Sequence, residues 1–132
     1  MTVTGSRMLC ALMFAALLVA CAAEVPVTPA TLLPLVGAAP DLVMQSDLPI
    51  RLSTGYTRTV PAASRWQAVG ALPQGTVYRP VDSVFAVEGR QVHEAYLVVR
   101  GTSVQGFFLP GEGHYSALSS SIPLPLDTGV QR

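Results

Sequence analysis

Lysine is absent from this 132-residue chain, and cysteine occurs only twice, as Cys10 and Cys21. No thiol exists beyond residue 21, which excludes disulfides and cysteine metal sites from the remainder, so its core must hold by packing alone. Charge is also scarce. Asp, Glu and Arg together make 12% of the chain, about half of the usual globular share. Every basic side chain is arginine. Setting Arg7 aside with the first twenty residues leaves seven arginines against eight acidic residues. Such a balance excludes nucleic acid as a ligand, because phosphate binding needs several uncompensated Lys or Arg side chains. The nucleophile and phosphate motifs are missing as well. There is no G-x-S-x-G and no G-K-[ST], and Ser-x-x-Lys is impossible without lysine. Nothing implies a cofactor.

What the chain does have begins at its start. Arg7 is the only charged residue before Glu24, and an apolar run of thirteen residues follows it, from Met8 to Ala20. A basic n-region, a short apolar h-region and small residues at its end form an export signal, and the run is too short to span about 30 Å of hydrocarbon as a helix. Leu18-Val19-Ala20-Cys21 resembles the lipobox of bacterial lipoproteins: an aliphatic residue, a tolerant position, a small residue and a cysteine. The resemblance covers residues 1–21. It implies cleavage before Cys21, lipidation of Cys21 and attachment to a membrane through that lipid. Ala22 and Ala23 follow the cysteine, with no Asp directly after it. By analogy with that class, this favours the periplasmic face of the outer membrane over retention at the inner one.

Three segments follow from composition: a signal helix over 1–20, a lipidated Pro/Ala-rich tether over 21–47, and a β domain over 48–132. Pro26, Pro29, Pro34 and Pro40 punctuate the tether, and each fixes its own φ and keeps the preceding residue out of helix. A flexible coil of this length averages about 28 Å end to end, enough to lift a domain off a bilayer. The alternative is a short helix around Thr31–Val36 or Pro40–Gln45, packed on the domain.

From Leu48 the chain changes to short β-branched and aromatic runs separated by Gly, Pro and polar turns. The pattern predicts strands over Ile50–Ser53, Tyr56–Val60, Trp66–Leu72, Thr76–Arg79, Val84–Glu88, Val92–Arg100, Ser103–Leu109 and Ile122–Leu126. Gly89 and Gly101 mark hairpin turns, giving a three-stranded meander from Val84 to Leu109. Val92–Val99 is apolar on both alternating faces, as expected of a central strand covered on both sides. The fold expected is all-β, a small antiparallel, partly open barrel of SH3-like size. Ser121–Leu126 alternates proline with aliphatics, which suits a protected edge.

The candidate binding residues are His93, Glu94, Glu112, His114, Arg79 and Trp66. If the strands pair through the Gly101 turn, two imidazoles and two carboxylates approach one rim, a set suited to zinc or to general acid and base chemistry. Adjacent strand residues point to opposite faces, so His93 and Glu94 cannot share a pocket in a regular strand. His93 reads better as a half-buried, hydrogen-bonded residue, and Glu94 as a structural ion-pair partner of Arg79 or Arg51. An exposed Trp66 beside arginine would instead form a groove for glycan or extended peptide. The reading these residues favour is a non-catalytic, lipid-anchored envelope protein that binds or helps assemble peptidoglycan or a periplasmic protein complex. The rivals are an inhibitor of a wall-degrading enzyme, plugging it with Pro110–Tyr115, and a small metalloenzyme using His93 and His114.

Overall fold

A computed structural model describes residues 24–126; the signal segment, Cys21 and residues 127–132 lie outside them. The described chain is all-β and its sheets are antiparallel, forming a small open β domain that does not close into a barrel. Eleven strands run as β1 Thr28–Pro29, β2 Leu42–Val43, β3 Leu48–Arg51, β4 Thr57–Val60, β5 Arg65–Leu72, β6 Gly75–Pro80, β7 Ala86–Glu88, β8 Val92–Glu94, β9 Tyr96–Arg100, β10 Ser103–Leu109 and β11 His114–Pro123. Seven form one sheet in the order β1-β11-β10-β9-β6-β5-β2, and the hairpins β3-β4 and β7-β8 form two small sheets.

Two apolar clusters lie on the two faces of the main sheet. Between it and the hairpins sits the larger one, built on Trp66, Phe85, Phe107, Leu97, Ile50, Val60 and Val87. Trp66 meets Phe85 edge-on at 5.6 Å, and Phe85 stacks on Phe107 at 6.1 Å. The opposite face carries Val77, Val98, Phe108, Leu72 and Tyr115. Strand β9 is central, as its two apolar faces predict: Leu97 and Val99 enter the first cluster, Val98 and Tyr96 the second.

Sequence parity misplaces several side chains because three strands carry irregularities. In β5 the register slips between Ala68 and Gly70, so Trp66 and Leu72 face different clusters although six residues separate them. In β10 the slip between Val104 and Gly106 leaves Gln105 opposite residues 118–121 of β11. The Ser119–Ser121 run is therefore an exposed bulge. Gly106 lies so close to β11 that a Cβ there would come within 2.4 Å of the Ser116 carbonyl oxygen.

The meander expected from Val84 to Leu109 is broken. Continuous pairing stops at Ala95, which is buried and donates its N–H to the Phe85 carbonyl. The β7-β8 hairpin thereby peels away and lays Phe85 and Val87 over the core, while β6 takes the place beside β9, with Thr76 opposite Val99. Burial of two large apolar side chains outweighs three residues of added ladder.

Residues 24–47 are no free tether. They run extended across the second face, from one edge of the main sheet to the other. Thr28 and Pro29 pair with Tyr115 and His114, Leu33 bridges Ala71, and Leu42 and Val43 pair with Trp66 and Arg65. Leu32 crosses directly above Gly70, where a Cβ would come within 2.6 Å of its side chain. Met44 is 1% exposed. Its N–H donates to Ser64 and its carbonyl accepts from Ala63, the one non-glycine residue with positive φ among the described residues. The helical alternative fails too, since prolines keep the strap extended. At the far end Leu124 donates to the Thr102 carbonyl, Gln45 donates to Pro125, and Leu124 and Leu126 join the larger cluster.

Two tyrosines make the fold sensitive to alkali. Burial raises the Tyr115 phenol above its ordinary value of 10.0, an effect that Arg100 partly offsets; burial and then Asp41 raise Tyr78. A raised acid stays neutral in the folded state while the unfolded chain ionises. Stability is therefore full below about pH 10 and falls as pH climbs through the raised folded values. Tyr115 also donates its hydroxyl to the Gln105 carbonyl at 3.1 Å. Denaturant titrations at pH 8 to 11 are expected to show this decline, with a shallower slope in Tyr115→Phe; an equal slope would remove Tyr115 as a contributor.

Candidate functional site

Of the four residues expected at one rim, two meet. The turn after β10 is tight, with Gly113 donating to the Leu109 carbonyl at 2.9 Å. It presents Glu112 to His93 on β8, with Nδ1 of His93 2.9 Å from Oε2 of Glu112. The His93 side chain is 16% exposed and Glu112 is 39% exposed, so the pair is half-buried, in line with a structural histidine. A carboxylate only accepts, so Nδ1 is the donor in this contact.

The other two stay apart. Glu94 is exposed on β8 and forms no salt bridge among the described residues. The ion pair expected with Arg79 or Arg51 is absent there because the peeled hairpin turns Glu94 to solvent instead of towards a core face. His114 opens β11, half-buried between Leu109 and Pro29 in the ladder. Among the described residues no three His, Cys, Asp or Glu side chains gather closely enough to hold a metal ion. The zinc set is not assembled.

Trp66 and Arg79 do not form a surface groove. Trp66 is 1% exposed, and its indole N–H donates to Ser64 Oγ at 3.0 Å. Arg79 is exposed on β6 and donates to Gln67 Oε1 at 3.0 Å. The proposed plug, Pro110–Tyr115, is a folded-back turn. Its Gly113 carbonyl accepts from Ala30 of the strap, Tyr115 is buried and Glu112 is held by His93.

Sequence reasoning missed a second ion pair beside the first. Arg90, at the tip of the β7-β8 hairpin, lies 2.6 Å from Glu24. With Val25, Val27, Gln91 and His93 these two line a groove of ≈ 240 Å³. The glycine turn marked the hairpin, but nothing local links residues 24 and 90. Nearby Val25 is partly buried against the larger cluster, which ties this part of the strap to the domain. A second, shallower trough of ≈ 390 Å³ lies between the β3-β4 hairpin and the β11 bulge, lined by Arg51, Ser53, Gly55, Ser119, Ser120 and Ile122. It offers one guanidinium and several hydroxyls to a polar ligand.

No protein-family model, curated protein or solved structure matches the chain.

Proposed function

We propose that this chain is a lipid-anchored cell-envelope protein, acylated on Cys21 and held at the periplasmic face of the outer membrane, whose β domain is a non-catalytic binding module. One observation carries the reading: Glu24, held by Arg90, and Val25, packed against the larger cluster, already belong to the domain three and four residues beyond the lipobox cysteine. Anchor and rigid domain are thus joined almost directly, an arrangement suited to display. The trough beside Arg51 is the surface presented, and its single cation among serine hydroxyls suits a carboxylate-bearing extended partner, either the stem peptides of peptidoglycan or a loop of an envelope protein.

The test has two arms. Mass spectrometry of the protein purified from membranes should find Cys21 as the acylated first residue, and Cys21→Ser should leave residues 1–20 attached. A photo-crosslinker at Ser120, in intact cells, should form a defined adduct with peptidoglycan or with one protein, reduced at least several-fold by Arg51→Glu. An unmodified Cys21, or no adduct at all, overturns the proposal.

A further inference from the structure

The geometry points to a membrane-facing surface: the surface around Glu24, made by the tip of the β7-β8 hairpin at Arg90 and Val92 and by Val27 just before β1, lies against the phospholipid headgroups. The inference rests on acylation of Cys21 as proposed above, and adds to it an orientation and a distance.

Three consecutive Cα steps of at most about 3.8 Å separate Cys21 from Glu24, so the two lie no more than about 11 Å apart however the intervening residues run. Glu24 is tied to the domain: Arg90 lies 2.6 Å from its carboxylate, Val25 is partly buried against the larger cluster, and Thr28 is already in the β ladder with Tyr115. A lipidated cysteine sits in the headgroup layer, which is about 5–8 Å deep on each side of the hydrocarbon. The surface bearing Glu24 must therefore touch or closely approach that layer. A domain swinging on a coil of about 28 Å, as composition alone suggests, is excluded by the docking of residues 24–47.

The side chains on this surface suit the contact. Val92, two residues along the hairpin from Arg90, is 68% exposed, and Val27, three residues from Glu24, is 40% exposed, large apolar side chains that water solvates poorly. Arg90 keeps 56% of its side chain exposed and can give its remaining N–H donors to lipid phosphate while its stem stays along apolar surface. The opposite edge, where Val43 lies on β2, is five strand spacings from β11, about 24 Å away.

The experiment uses the acylated full-length protein in phosphatidylethanolamine/phosphatidylglycerol vesicles. With Cys10 removed with the signal and Cys21 acylated, a cysteine introduced by Val92→Cys or Val43→Cys is the only free thiol and accepts a fluorophore. Spin-labelled lipids are expected to quench the label at 92 several-fold more than the label at 43. Ten Gly/Ser residues inserted between Ala23 and Glu24 should bring the two closer to equality. Equal quenching in protein that floats with the vesicles overturns the orientation and leaves the anchored binding module standing. Protein that carries no acyl group and does not float overturns both. Circular dichroism of the labelled variants checks folding, which these exposed positions should not disturb.

Discussion

A chain that starts at Leu48 is expected not to fold, although composition places the domain boundary there. The strap over residues 24–47 supplies Met44, which is 1% exposed, together with Val25 and Leu42 to the larger cluster and Ala30 and Leu32 to the second. Loss of Met44 alone costs about 2–5 kcal/mol by comparison with large-to-small core substitutions. Removing the strap also uncovers Val77, Val98 and Phe108 and strips partners from both edges of the seven-stranded sheet. Small domains have a net stability of about 5–15 kcal/mol, so the combined loss reaches that whole margin. Thermal unfolding followed by circular dichroism is the measurement: residues 24–126 should melt cooperatively, and residues 48–126 should show no transition. A cooperative melt of the shorter chain within a few degrees of the longer one would show the strap to be dispensable.

Gly106→Ala is expected to be strongly destabilising although it adds a single methyl. The added Cβ would come within 2.4 Å of the Ser116 carbonyl oxygen and 2.8 Å of the Tyr115 hydroxyl. The first neighbour is backbone in the adjacent strand and cannot rotate away. Relief requires β10 and β11 to part, which breaks the bulge, the Tyr115 to Gln105 hydrogen bond and the packing of Phe107 and Phe108 on either face. Overpacking of a core costs about 1–3 kcal/mol when side chains can adjust, and this site has no such freedom, so a loss of at least about 3 kcal/mol is expected in urea denaturation. Gly111→Ala is the control, since a Cβ there meets nothing within 4 Å; equal losses in the two variants would refute the explanation by close approach.

Much of the architecture was legible because alternation in a strand reports directly on its surroundings. The two apolar faces of Tyr96–Val99 announced a central strand, and Phe107 and Phe108 divide between the clusters as adjacent residues must. The approach of His93 to the turn after Leu109 follows from the hairpin at Gly101, which sets which strand ends lie together. Composition gives residues 24–47 as a tether because proline spacing reports an extended backbone and says nothing about whether that backbone is solvated or docked. Val25, Leu32, Leu42 and Met44 carry no period, since a strap crossing a sheet touches it where it happens to pass. Composition leaves open whether Trp66 is core or surface, because its partner Phe85, which in turn stacks on Phe107, lies far along the chain.

By itself the sequence determined the β class, most strand positions, the absence of any thiol after residue 21 and the lipobox-like junction at Leu18–Cys21. These depend on residue type and short-range spacing. Only the tertiary structure decided that β6 lies beside β9, that β7-β8 leaves the sheet, that Glu24 meets Arg90 and that residues 24–47 belong to the domain. Those outcomes are set by competition among apolar surfaces distant in sequence, and the chain writes no local mark for which pairing buries the most.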